Sequence, residues 1–166
     1  GEGVTSVACD ATCQDLLQRD GDQYHFDASY RFLLGEGGRH IVRPMLRYTI
    51  DDRDGEAISG DGYRLQLSYV FLGQGYTVAS NVAYGSSSFD ASNPIFGART
   101  DSDGVIVDTT LFYRLPFESG RWQAVGSVLW GEGNSDVAFH DSEIFMISAG
   151  VMYRFGARAA PASAGQ

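Results

Sequence analysis

From Tyr24 to Phe155 apolar and polar residues alternate with a period of two, segment after segment, which is the signature of extended strands with one apolar face. Seven segments show it. In the first, Tyr24, Phe26, Ala28, Tyr30, Phe32 and Leu34 share one face, and His25, Asp27, Ser29 and Arg31 share the other. The second sets Val42, Pro44, Leu46, Tyr48 and Ile50 against Arg43, Met45, Arg47 and Thr49. The third sets Tyr63, Leu65, Leu67, Tyr69 and Phe71 against Arg64, Gln66 and Ser68. The fourth is weaker, with Tyr76, Val78, Val82 and Tyr84 on its apolar side. The fifth places Val105, Val107, Leu111, Tyr113 and Leu115 opposite Asp108, Thr110 and Arg114, with Phe112 on the polar side. The sixth carries Trp122, Ala124, Val128 and Trp130, and the seventh Phe145, Ile147, Ala149, Val151, Tyr153 and Phe155. Each runs about 9 to 12 residues, the length a tilted strand needs to cross a bilayer.

The connections alternate in length. Compact turns are expected at Gly35 to Gly38, Gly73 to Gly75 and Pro116 to Gly120, and long polar loops at Asp51 to Gly62, Gly85 to Gly104 and Gly131 to Glu143. Outer-membrane barrels sort their connections this way, with short turns in the periplasm and long loops outside. Aromatic residues mark both ends of the segments. Tyr24, Tyr63, Tyr84, Trp130 and Phe145 lie toward the long loops, and Phe32, Phe71, Tyr76, Tyr113, Trp122 and Phe155 toward the short turns. Two aromatic rows around an aliphatic band suit the two headgroup interfaces of a membrane. The expected fold is therefore all-β, an antiparallel up-and-down transmembrane β-barrel over residues 24–155.

Composition narrows the classes. The 166-residue chain has a net charge of -9, and every one of its 12 basic residues is arginine. That balance excludes a basic phosphate-binding face, so no nucleic-acid partner is expected. Residues 1–23 read as a leader or plug with a short helix within Asp10 to Arg19. Its cysteines, Cys9 and Cys13, suit a local disulfide in an oxidising compartment. The Ala, Gly, Ser and Pro tail at 156–166 reads as disordered.

The polar face of the segments carries Arg31, Arg43, Arg47, Arg64, Arg114 and Arg154, with Arg31, Arg43, Arg114 and Arg154 expected near the short-turn end. Arginines at a lumen mouth favour anions. The alternative is an interior of ion pairs in which Asp27, Asp108, Asp51 and Glu118 take up the arginines. The acidic loop residues Asp51, Asp52, Asp54, Glu56, Asp61, Asp90, Asp101 and Asp103 read as solvated turns, and no metal or other cofactor is expected. His25, His140, Asp141 and Ser86 to Ser88 supply residue types for hydrolysis without a diagnostic spacing, so no catalytic site is expected.

Asn93-Pro94-Ile95-Phe96-Gly97 with Arg99 and Asp101, then Asn134-Ser135-Asp136-Val137 with Phe139 and Asp141, and finally Gly150 with Tyr153-Arg154-Phe155, resemble the C-terminal part of uncharacterised proteobacterial outer-membrane barrels. More distantly they resemble the barrel of surface lipoprotein assembly modifiers. The resemblance implies an integral barrel of the bacterial outer membrane, in contact with its lipids, with further strands upstream. Strand parity points the same way, because bacterial single-chain barrels have an even strand count and seven is odd. The eighth strand would come from the N-terminal segment near Gly3 to Ala8 or from a partner chain. Expected functions are a structural barrel or small passive channel of weak anion preference, a barrel subunit within a larger outer-membrane assembly, or a soluble ligand-binding barrel with reversed faces.

Overall fold

The computed structural model describes residues 10–117, 121–137 and 141–155. A one-and-a-half-turn helix α1 (Ala11–Leu16) opens it, capped by Asp10, whose Oδ1 accepts the Cys13 N–H at 2.9 Å. The rest is one antiparallel sheet of β1 (Gly21–Ser29), β2 (Phe32–Leu34), β3 (His40–Arg53), β4 (Gly60–Leu72), β5 (Tyr76–Phe89), β6 (Ser102–Arg114), β7 (Trp122–Ser135) and β8 (Ser142–Tyr153). Its order is β1-β3-β4-β5-β6-β7-β8, with β2 also on β3.

β1 and β2 are one span interrupted by proline. Ser29 lies opposite Met45 and Phe32 opposite Val42, so the register passes unchanged through Tyr30 and Arg31. The Tyr30 N–H still reaches the Pro44 carbonyl at 3.2 Å. Pro44 has no N–H to return to Tyr30, and the ladder loses a rung there. The eight assigned strands are thus the seven spans that the alternation delineates, joined as consecutive hairpins.

The sheet is not closed. Among the described residues β1 pairs only with β3 and β8 only with β7. The all-β, mostly up-and-down antiparallel architecture expected from the sequence is present, and closure into a barrel is not part of the structure.

The loops are a second departure. Strands run past the apolar alternation, so the connections shrink to residues 54–59, 90–101 and 136–141. The reason is that backbone pairing continues through residues the apolar period cannot register. Asp51 pairs with Gly60, Ser87 with Ser102, and Asp103 with Asn134. The compact turns stand at residues 35–39 and 73–75, while part of the expected turn at Pro116 to Gly120 lies outside the described residues.

Packing is that of a single layer. No large side chain is fully buried, and the buried apolar residues are Ala57, Ala83 and Val137 among the described residues. Ala57 belongs to a clasp between the chain entering β1 and the β3–β4 connection. Asp54, Gly55 and Ala57 donate their N–H groups to the carbonyls of Asp20, Gln18 and Leu16 at 2.8, 3.1 and 3.1 Å. Gly55 allows that approach, because a Cβ there would stand 2.6 Å from both Gln18 N and Leu16 O. Ser59 locks the connection by accepting the Arg53 N–H at 2.9 Å and donating to the Arg53 carbonyl at 2.7 Å.

Candidate functional site

Register assigns every strand residue to one of two faces, since side chains alternate along a strand and directly paired residues share a side. One face carries Tyr24, Leu46, Tyr48, Tyr63, Leu65, Tyr84, Val107, Trp130, Phe145 and Ile147. Toward the short turns its rings touch in sequence across the sheet. Tyr30 meets Phe32 at 4.7 Å between centroids, His40 meets Phe71 at 4.9 Å, Phe71 meets Tyr76 at 5.6 Å, and Trp122 meets Tyr153 at 4.9 Å. His40 Nδ1 also lies 2.8 Å from the Tyr69 hydroxyl, a contact the alternation does not announce. Toward the loops, Tyr63 and Tyr84 lie 6.0 Å apart.

The other face lines a concavity of about 720 Å³ to which all seven spans contribute. On one flank the Arg47 guanidinium grips Asp27 through two bonds, Nε to Oδ1 at 2.7 Å and Nη2 to Oδ2 at 2.9 Å. His25 Nδ1 sits 3.0 Å from the Thr49 hydroxyl, and Arg43 Nη2 donates to Ser29 Oγ at 3.3 Å. Arg64 stands directly opposite Arg47 across the ladder and has no ion pair among the described residues. Asp51 is held by Arg53 and accepts from Gln23 Nε2 at 2.9 Å.

One row of the concave face is nearly free of side chains across the middle strands. The Arg47–Arg64 row continues into Gly85, Gly104, Gly133 and Ser142, and the neighbouring row runs Gln66, Ala83, Ile106, Gly131 and Ile144. This glycine floor was not singled out from the sequence. Its signal was there, in glycines recurring near the loop ends of successive segments. Beyond it the face carries no charge: Val125 and Leu129 on β7 and Ile144, Met146 and Met152 on β8 alternate with Ser127 and Ser148, whose hydroxyls lie 2.7 Å apart.

Arg31, Arg43, Arg114 and Arg154 all stand toward the short-turn ends of their strands. The shared register puts Arg31 opposite Arg43, Arg114 lies opposite Gln123, and Arg154 follows β8 with its N–H on the Arg121 carbonyl at 3.0 Å. Of their expected carboxylate partners, one takes an expected arginine and two do not. Asp27 takes Arg47, Asp51 takes Arg53, and Asp108 accepts from Asn81 Nδ2 at 2.9 and 3.3 Å. Glu118 and His140 lie outside the described residues. Cys13 is disulfide-bonded, while Cys9, the chain's other cysteine, also lies outside them.

The Asn93 to Gly97 motif forms a tight turn in the β5–β6 connection. The Asn93 carbonyl accepts the N–H groups of Phe96 and Gly97 at 3.2 and 2.8 Å, and its side chain accepts that of Ile95 at 3.0 Å. Pro94 follows the Asn93 that bridges Ala98, and Gly97 supplies φ +67°. Asp101 then accepts the Phe89 N–H at 2.8 Å and pairs with Arg99 at 3.7 Å, fixing the loop to the end of β5.

No group of three or more metal-ligating side chains stands together among the described residues, and none of their helices is long and apolar enough to cross a membrane. The chain belongs to the DUF2860 family, a family of proteins of unknown function whose model matches residues 2–154, α1 and every strand included. Neither a curated protein nor a solved structure matches it.

Proposed function

We propose that this DUF2860 member forms the wall of a transmembrane β-barrel in the bacterial outer membrane, its aromatic face in lipid and its concave face lining a passage for small solutes. The observation that carries the reading is a one-layer sheet whose apolar face has nothing packed on it among the described residues. Phe26, Leu65, Ile147 and Val151 are 59, 49, 67 and 64 % exposed. Fully burying one such side chain contributes about 1.5–3 kcal/mol, and a sheet without a second layer collects that only from an apolar solvent. Lipid provides it. Strands of 12 to 14 residues rise about 40 Å or more, which a tilt near 45° converts into roughly the 30 Å of a hydrocarbon core. Rings near both strand ends suit the two interfaces. The C-terminal motifs that resemble outer-membrane barrels add support.

The concave face sets the selectivity. On β1, β3 and β4 it carries Arg43, Arg47, Arg53 and Arg64 against Asp27 and Asp51, while Asp61, Asp103 and Glu132 also line the cavity. The arginine flank supports a mild anion preference.

Fractionation and lipid quenching test the reading. Trp122 and Trp130, the only tryptophans, share the aromatic face. In vesicles both should be quenched by lipids brominated near the headgroups more than by lipids brominated at the chain ends. A protein that stays in solution without detergent, with tryptophans untouched by brominated lipid, overturns the proposal. It would favour the soluble ligand-binding barrel.

A further inference from the structure

Two guanidinium groups share one rung of the concave wall. Arg47 and Arg64 are directly paired across β3 and β4, so their Cβ atoms stand about 5 Å apart on the same side. Like charges placed this way repel unless a counter-ion lies beside them. Asp27 supplies one for Arg47 only, accepting from its Nε and Nη2 at 2.7 and 2.9 Å. Arg64 lines the cavity and makes no hydrogen bond or ion pair among the described residues, which leaves its five N–H donors unused. The next residue on that rung is Gly85, where a Cβ would meet nothing nearer than 3.5 Å, so there is room beside the guanidinium. An oxyanion fits this rung. A carboxylate can accept two parallel N–H bonds from Arg64 and a third from the Arg47 Nη1 that Asp27 does not use.

The groups around the pair define what else the ligand carries. On the loop side the neighbouring rung holds Thr49, Ser87 and Ser102, and the two serine hydroxyls lie 2.9 Å apart, each with hydrogen-bonding capacity left over. On the turn side Gln66 donates its Nε2 to Ser68 Oγ at 3.2 Å, which leaves its carbonyl oxygen to accept. A cationic group on the ligand would find no free partner among the described residues of this wall. Its strand carboxylates are Asp27, Asp51 and Asp108, held by Arg47, by Arg53 with Gln23, and by Asn81. Asp61, Asp103 and Glu132 border the cavity from positions whose side chains register with the convex, aromatic face, opposite Ile50, Ser86 and Val105. The free chemistry is thus one guanidinium beside hydroxyl and amide groups, which suits an acid whose other polar groups are hydroxyls and excludes a zwitterion. We propose that the Arg47–Arg64 rung is a binding site for sugar acids, the carboxylate on the two guanidiniums and the ring hydroxyls on Ser87, Ser102 and Gln66. The proposal names the solute class of the passage inferred above and rests on that reading.

Saturation-transfer NMR titration of the intact protein, extracted from outer membranes in mild detergent, tests this with D-glucuronate as the probe. Glucuronate should bind, and Arg64→Gln should weaken it about tenfold or more by removing the forked contact. Gly85→Leu keeps every charge but fills the space beside Arg64, and it should weaken binding as well. Arg39→Gln makes the same charge change in the turn before β3 and should not. D-Glucose, which lacks the carboxylate, and acetate, which lacks the hydroxyls, should each bind more weakly than glucuronate. Glucuronate binding that survives both Arg64→Gln and Gly85→Leu, or that glucose or acetate matches, overturns the proposal. So does a loss on Arg39→Gln equal to that on Arg64→Gln, each variant being first shown to be folded by its heat resistance in detergent gels. Tryptophan quenching by brominated lipid on the same preparation keeps the two readings apart. A quenched protein that ignores glucuronate overturns the site alone, and an unquenched one overturns the barrel.

Discussion

The concave wall is charged on its first strands and uncharged on its last. On β1, β3 and β4 it carries His25, Asp27, Arg43, Arg47, Arg53 and Arg64 among Met45, Gln66 and Val70. On β7 and β8 the same side of the sheet carries Val125, Leu129, Ile144, Met146 and Met152 with Ser127 and Ser148, whose hydroxyls lie 2.7 Å apart. The convex face makes no such distinction and is apolar from one margin to the other. One solvent explains a uniform face. The concave face, in the reading proposed here, meets water throughout and differs only in where it concentrates charge.

The contrast is broken most severely by charge. On the convex face Leu65→Arg and Ile147→Arg should each cost about 2–4 kcal/mol if they lie near the bilayer midplane, seen as lost heat-resistant folded protein in detergent gels. On the concave face Gln66→Arg and Met146→Arg should both insert normally, because each faces the passage. Equal tolerance of arginine at residues 65 and 66 would erase the distinction between the two faces.

Steric probes of the glycine floor come next. A Cβ on Gly104 would lie 2.8 Å from the Glu132 carbonyl, whereas one on Gly85 meets nothing nearer than the Tyr63 carbonyl at 3.5 Å. Gly104→Ala should therefore destabilise by roughly 1–3 kcal/mol in urea titration, and Gly85→Ala should leave the midpoint unchanged. Gly85→Leu would then occupy the cavity with the sheet intact and lower any conductance.

Smaller effects are expected from the charged flank. Replacing Asp27→Asn and Arg47→Gln together removes a neutral pair and should hold the reversal potential of a planar bilayer constant, while Arg64→Gln should move it toward cations. The smallest change expected is that of Pro44→Ala. It restores the missing donor opposite Tyr30 but loosens the unfolded chain, so stability should shift by less than about 1 kcal/mol. Amide exchange across residues 29–32 would report the new rung.

The seven spans were legible because water or lipid on one side and the cavity on the other impose a period of two on side chains. The strand ends were not, since Asp51, Ser87 and Asn134 pair through backbone groups that leave no hydrophobic trace. The clasp of residues 16–20 on the β3–β4 connection was hidden for the same reason, and only Gly55 carried a mark of it. Among the site residues, the polar side of each arginine followed from alternation. Their partners did not, because pairing depends on how far one strand slides along the next. Asp27 meets Arg47 at a separation of 20 residues, and Asp108 meets Asn81 at 27.

The consecutive-hairpin topology has a kinetic consequence. Each span finds its partner next along the chain, across connections of 12 residues or fewer, so the entropy of closing each loop stays small. Assembly can begin at any hairpin and lengthen one strand at a time, and each step leaves a row of backbone donors and acceptors that templates the next. Low contact order of this kind favours fast, sequential growth over a single global search. By the same logic the seven-span ladder itself provides a growing front at each margin, ready to receive another strand by the reaction that added the last.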